Sequence, residues 1–292
     1  MFIATLIAEG LSSGQLDAAA DRLAAVDCAP GEWRWLDEGA AADLPFMHHP
    51  DAARAALEGA VAGADVIVQV EAHRAKKLLV ADMDSTMITV ECIDELADYA
   101  GIKPQIAEVT ERAMRGELDF AEALDARVAL LKGLSEGAID RCLEERVRLM
   151  PGAEALVRTM RARGAHTILV SGGFTRFAEP VGTRIGFDRR IANVLEIEGG
   201  VLTGTVTKPI VDSSTKETTL LGAMAELGLA PEQTMAVGDG ANDLAMIRKA
   251  GLGVAYHAKP IVAAAAGARI DHGDLTALLY AQGIARADWV TA

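Results

Sequence analysis

Asp82-Met83-Asp84-Ser85-Thr86 sets two carboxylates two residues apart, directly after an unbroken apolar run, Leu78-Leu79-Val80-Ala81. In an extended chain, positions i and i+2 face the same side, so both acids project from the end of one strand. Two such charges repel unless one is protonated or a cation lies between them. A second acid pair, Asp239 and Asp243, lies in Gly238-Asp239-Gly240-Ala241-Asn242-Asp243, after the run Thr234-Met235-Ala236-Val237. Four acids at one sheet edge call for a divalent cation, and oxygen donors point to Mg²⁺. Ser171-Gly172-Gly173 follows a third run, Thr167–Val170; its hydroxyl and main-chain N–H groups suit an anion cradle. Lys216 reads as opening the helix before the Asp239 strand, where a cation opposes the helix dipole and so has reason to act elsewhere. Singly, each piece has a plainer reading: a capped turn, a glycine turn with Asp as N-cap, a strand-to-helix turn, a solvated lysine.

The elements that must carry these residues are strands without polar alternation, typical of parallel strands covered on both faces. Between them run helical patterns: Ala153–Arg163, Phe174–Ile185, Lys216–Leu227, Asp243–Ala250 and Pro260–Ala266. The alternation predicts an α/β fold, a doubly wound Rossmann-like parallel sheet whose ligands bind beyond the carboxyl ends of its strands. Residues 91–149 interrupt it with amphipathic helices only, at Glu91–Ala100, Gln105–Arg115, Asp119–Leu131 and Ser135–Arg146. An insert placed there suits a lid. Asn193–Glu198 and Val201–Thr207 flank Gly199-Gly200, a hairpin signal. Residues 1–75 read as β-α-β-α-β: strand Phe2–Ile7, helix Leu16–Val26, strand Trp33–Leu36, helix Asp51–Val61, strand Asp65–Val70. The expected domains are therefore an N-terminal accessory α/β domain at 1–75, a core at 76–90 and 150–292, and a helical cap at 91–149.

With 42 acidic and 28 basic residues in 292, the chain carries a formal charge of −14. Clustered phosphate contacts to nucleic acid are not expected of such a chain, nor is binding at a membrane surface. Apolar runs fall far short of the roughly 20 residues that span a bilayer, and the N-terminus lacks the basic start of a signal peptide. Cys28, Cys92 and Cys142 have no disulfide or zinc spacing, which fits a reducing cytoplasm. An anionic small molecule is opposed by the net charge, so a local reversal of the field is required. A homodimer is an assembly open to such a chain.

In the chain order acid pair, serine, lysine, acid pair, these pieces resemble the haloacid dehalogenase superfamily of aspartate-nucleophile phosphatases. Over residues 76–285 the chain is similar, within it, to the phosphoserine phosphatase family, on Asp82–Thr86 followed by Glu91, Val170–Phe174 and Val237–Asp243. Met83 departs from the Phe common there. The resemblance implies that Asp82 is the nucleophile and Asp84 the general acid and base. It implies Mg²⁺ on Asp82, the main-chain carbonyl of Asp84 and Asp239, with Asp243 supporting the water shell. Ser171, Gly172 and Lys216 would bind phosphate oxygens with Asn242 close by. Glu91 would pair with a substrate ammonium, Arg127 would grip its carboxylate, and Met114 and Phe120 would line the pocket. The expected activity is Mg²⁺-dependent hydrolysis of O-phosphoserine, the last step of serine biosynthesis. The alternatives are transfer of the phosphoryl group to another alcohol such as homoserine, and an amino-acid sensor on the same scaffold. The N-terminal segment resembles regulatory extensions of bacterial members, the ACT-like type among them.

Overall fold

A computed structural model describes residues 1–291, with the side chain of Met114 outside the described set. The chain opens with β1 (Phe2–Ile7), α1 (Ser13–Ala25), β2 (Arg34–Asp37), β3 (Ala41–Phe46), α2 (Pro50–Leu57) and β4 (Asp65–Val70). The strands form one antiparallel sheet in the order β2-β3-β1-β4, the split βαββαβ arrangement. β3 is a strand more than the expected β-α-β-α-β pattern. Its sequence, Ala41-Ala42-Asp43-Leu44-Pro45-Phe46, carries two residues depleted in strands. Pro45 is tolerated because β2 pairs only as far as Asp43, leaving Pro45 past its end. Asp43 is tolerated because its charge is answered, as described below. α1 begins where Ser12 and Gln15 cap each other, the reciprocal pattern of a capping box.

The second and larger body contains β5 (Leu78–Ala81), α3 (Cys92–Tyr99), α4 (Lys103–Met114), α5 (Phe120–Leu130), α6 (Glu136–Glu145), α7 (Ala153–Ala162), β6 (His166–Phe174), α8 (Thr175–Ile185) and β7 (Arg189–Asn193). It continues with β8 (Leu195–Glu198), β9 (Val201–Val206), α9 (Ser213–Leu227), β10 (Thr234–Gly238), α10 (Leu244–Lys249), β11 (Leu252–Tyr256), α11 (Pro260–Ala263), β12 (Ala268–Ile270) and α12 (Ala277–Ala281). Six strands form a parallel sheet in the order β12-β11-β10-β5-β6-β7. All four residues of β5 are fully buried, as a continuous apolar run in a two-sided sheet requires. The winding reverses between β5 and β10, so this is the switch point at which such sheets bind ligands.

Two local expectations change. β6 does not end at Val170 but runs through Ser171-Gly172-Gly173 to Phe174, with a register break against β7 between Val170 and Phe174. Lys216 does not open its helix: Asp212 caps α9 by accepting from Thr215 N–H (2.8 Å), three residues ahead of it.

Helices α3–α6 follow β5 and return to the core beside their point of departure. Thr89 N–H donates to Arg148 O (3.0 Å) and Met150 N–H to Met87 O (2.9 Å). The β8–β9 hairpin, turned on Gly199 and Gly200 at φ +58° and +81°, holds the far side of this insert. Gly133 and Glu136 N–H donate to Leu202 O and Gly200 O (2.8 and 3.0 Å), and Leu202 N–H to Leu134 O (2.9 Å).

The N-terminal sheet meets the core beside β12 and α12. Asp65, buried at the start of β4, accepts from the main-chain N–H groups of Asp271, His272 and Gly273 (2.7, 3.2 and 2.7 Å). Arg74 donates to Asp43 through both terminal nitrogens (2.6 and 2.9 Å) and to the carbonyls of Tyr280 and Ala281 (3.1 and 3.2 Å).

Candidate active site

Asp82 and Asp239 leave the sheet at the carboxyl ends of the adjacent strands β5 and β10, on either side of the switch point. Asp243 closes the short turn Ala241–Asp243 and reaches back, accepting from Gly240 N–H (3.0 Å). Only glycine permits this: a Cβ on Gly238 would stand 2.3 Å from Asp243 Cγ. One carboxylate oxygen each from Asp82, Asp239 and Asp243 lies within 4.8 Å of the others. Thr86, fully buried, donates to Asp239 Oδ1 at 3.5 Å.

This density of acid shifts protonation. Burial first, then Asp82, pushes Asp239 up to about 6 and Asp243 up to about 7. Two carboxylates reluctant to ionise together, presenting only oxygen, fit a hard divalent cation. One ammonium compensates part of the charge. Lys216, fully buried in the second turn of α9, sits 2.7 Å from both Asp82 Oδ1 and Asp243 Oδ1. Burial pulls Lys216 down, but Asp82 and Asp243 outweigh it and hold it above its ordinary value. Lys216 therefore lies beneath Asp82.

Asp84 differs from its neighbour. Its Oδ2 accepts from Cys92 N–H at the start of α3 (3.3 Å), while Oδ1 is buried with no hydrogen-bond partner. Burial first, then Glu91 and Asp82, hold it well above the usual carboxylate range. A carboxyl kept protonated beside a carboxylate is the separation of roles that acid catalysis needs. Ser171 is buried at the rim, its Oγ accepting from Gly173 N–H (2.9 Å). A Cβ on Gly173 would lie 3.2 Å from Asp84 Oδ2, and one on Gly172 would lie 3.1 Å from Phe120 Cζ. The Ser171–Gly173 stretch thus has Asp84 on one side and Phe120 of α5 on another.

Phe120 is the first residue of α5, whose start is set by a reciprocal cap between Asp119 and Glu122 (2.8 and 2.9 Å). From there Leu124 and Arg127 fall on the same face at helical spacing, and all three line a cavity of about 540 Å³ with Asp82, Ser171 and Asn242. That is the size of small-molecule sites. Arg127 donates to Ala123 O (3.2 Å); burial pulls its guanidinium down, opposed by Asp94, Glu91 and Asp84. Glu91 occupies the N-cap position of α3 without a side-chain capping bond and accepts from Ser85 Oγ (2.7 Å), with Ser85 at φ +54°. Burial raises Glu91.

Among the expected residues, Asp82, Asp84, Glu91, Phe120, Arg127, Ser171, Gly172, Asp239 and Asn242 share this one cavity. Lys216 and Asp243 lie behind its floor, and the side chain of Met114 lies outside the described residues. Sequence reasoning missed Thr86, Asp94 and Lys259. Thr86 stood inside the first motif. Lys259 followed the run Gly253–Ala255 and preceded Pro260, a strand-to-helix junction like the others.

A family model for haloacid dehalogenase-like hydrolases matches residues 76–251. A phosphoserine phosphatase from Albidiferax ferrireducens is 50% identical over 208 residues, covering 70% of this chain and 88% of that protein. Two crystal structures extend the likeness into the N-terminal sheet. A haloacid dehalogenase family hydrolase from Salmonella enterica serovar Typhi superposes with a TM-score of 0.84 at 29% identity, covering 98% of this chain and 99% of the other. A probable phosphoserine phosphatase from Vibrio cholerae, unliganded, gives 0.80 at 34% identity over 98% of this chain and 88% of that one.

Proposed function

The chain belongs to the haloacid dehalogenase-like hydrolases, and from that premise we propose that it hydrolyses O-phosphoserine to serine and phosphate, closing serine biosynthesis. The observation that carries the reading is one cavity lined by two kinds of group: Asp82, Asp84 and Ser171 suit phosphoryl transfer, while Glu91 and Arg127 offer a carboxylate and a guanidinium for the two charges of an amino acid. The named activity of the relatives supplies the same substrate.

Mg²⁺, held by Asp82, Asp239, the main-chain carbonyl of Asp84 and the support of Asp243, would supply positive charge to the transferring phosphoryl oxygens. In the first step a carboxylate oxygen of Asp82 attacks phosphorus in line and the bond to the serine oxygen breaks, leaving an aspartyl-phosphate. Asp84, protonated, gives its proton to the departing serine oxygen. In the second step water attacks the same phosphorus, Asp84 takes the water proton, and phosphate leaves with Asp82 restored. Ser171, the Gly172 main chain and Asn242 orient the phosphoryl oxygens. Lys216 fixes Asp82 and shares its charge with them. Phe120 excludes bulk water. The division into accessory domain (1–75), core and helical cap, a reducing cytoplasm, and a homodimer belong to the same reading, as does an ACT-like role for the N-terminal sheet.

The test is phosphate release from a panel of phosphorylated amino acids with Mg²⁺; no preference for phosphoserine would sink the substrate assignment. The relatives are phosphatases by name, so transfer to homoserine is not the reading adopted. Product analysis with that acceptor present separates the two. Among the described residues no helix is long and apolar enough to cross a membrane.

A further inference from the structure

The mouth of the cavity holds a cation that the reaction above does not use. Lys259 follows β11 and stands immediately before Pro260, the first residue of α11. Its main-chain N–H donates to the carbonyl of Asp239 (3.2 Å). Its backbone is thus tied to a residue of the carboxylate trio. Two residues earlier the chain turns through His257 at φ +42°, whose ring bonds the carbonyl of Gly273 (3.0 Å). The backbone is held while the side chain is not. Among the described residues, the lysines in ion pairs are Lys208, Lys216 and Lys249; Lys259 is in none.

The charge around it gives this lysine a task. The cavity is lined by Asp82, Asp84, Glu91, Asp94 and Asp239, against only Arg127 and Lys259. Lys216 stands behind the floor, paired with Asp82 and Asp243. Arg127 stands on the cap side, on the same helix face as Phe120. A phosphomonoester carries two negative charges and must enter a chain of formal charge −14. Lys259 lines the same cavity as Asp239 and Glu91, and its positive charge opposes the upward pull on each. A flexible stem bearing a point charge can follow a phosphate group that is still mobile.

We propose that Lys259 is an anion-capture residue of this site: it draws the phosphate group of the substrate into the mouth and passes it to the Ser171–Gly173 cradle, without a part in bond-making. This rests on the phosphatase reading above. An interaction made equally with bound substrate and transition state acts on KM and leaves kcat in place, and a field acting across solvent is weakened by salt.

The experiment compares the Mg²⁺-loaded wild-type enzyme with Lys259→Gln and Lys259→Arg. In Lys259→Gln, KM for phosphoserine is expected to rise about tenfold with kcat within about twofold, and kcat/KM to lose much of its dependence on ionic strength. Lys259→Arg restores both. Calorimetry with inorganic phosphate gives a readout that needs no turnover: its dissociation constant rises by a similar factor in Lys259→Gln. Unchanged phosphate affinity and an unchanged salt profile would overturn the proposal, and so would a fall in kcat at constant KM. A wild-type enzyme that binds phosphate yet leaves phosphoserine intact would defeat the substrate reading alone, with the phosphate arm still deciding Lys259.

Discussion

At the seam between the N-terminal sheet and the core, Asp43 is fully buried with its charge answered; at the rim of the parallel sheet, buried acids crowd together with too few partners. Asp43 takes both terminal nitrogens of Arg74 (2.6 and 2.9 Å), the hydroxyl of Thr5 (2.9 Å) and a longer bond from Arg34 (3.4 Å). Asp65, on the far side of β1 in the same sheet, takes three main-chain N–H groups from the core. Asp82, Asp84, Asp239 and Asp243 have one buried ammonium between them, and Asp84 Oδ1 has no partner. A satisfied acid fastens two bodies together and leaves chemistry nothing to use. An unsatisfied cluster keeps its charge available to a cation and a phosphoryl group. Removing a residue from each should therefore produce opposite phenotypes.

The largest expected effect is at the rim. Asp82→Asn keeps the shape but removes the nucleophile proposed above, so turnover should fall by about 10⁴-fold or more. Relieving one of several mutually repelling acids should leave the melting temperature equal or higher. Activity within about tenfold of wild type would remove Asp82 as nucleophile. At the seam, Arg74→Met strands the Asp43 charge, which should cost about 3–5 kcal/mol of unfolding free energy in denaturant titration. The folded fraction should keep its kcat/KM within about twofold. An active-site defect without loss of stability would break the contrast. Smaller again, Arg127→Lys should raise KM for phosphoserine about tenfold with little change in kcat, because an ammonium cannot replace a bidentate fork. Equal KM values would take Arg127 out of substrate binding.

How far each region could be read in advance follows the same division. The rim was legible because its acids end apolar strands of nearby sequence pattern, and a strand end is visible one residue at a time. Glu91 and Arg127 were legible only through the family resemblance, since a first-turn acid and a helix arginine are ordinary surface residues otherwise. The start of α9 was misplaced because Ser213-Ser214-Thr215 looks like loop, although Asp212 caps it. β3 was missed because Asp43 and Pro45 mimic a break. The seam itself was not legible: Asp65 meets its partners 206 to 208 positions away, and those partners are backbone N–H groups that no side chain advertises.

The contrast also has a pH signature, smaller in size but direct in sign. In the folded protein Asp239 is pushed up to about 6 and Asp243 up to about 7, by burial and then by Asp82, from an ordinary value of 3.8. Between those values the folded chain, free of divalent cation, binds more protons at these positions than the unfolded chain does. Their contribution to stability therefore declines as pH rises from about 4 to about 7 and is level above it. A divalent cation competes with the same protons, so its apparent affinity should weaken as pH falls below 7, by about tenfold per pH unit for each proton displaced. Melting curves of chelated and Mg²⁺-loaded protein at pH 5, 6, 7 and 8 read both effects. The chelated protein should lose stability from pH 5 to pH 7 and hold level to pH 8, with Mg²⁺ raising the melting temperature more at pH 8 than at pH 5. Asp243→Asn should flatten the chelated profile, while Arg74→Met should lower it at every pH and leave the Mg²⁺ increment intact. A Mg²⁺ increment independent of pH would mean that the rim carboxylates are as well satisfied as those of the seam, and the distinction between fastener and site would fail.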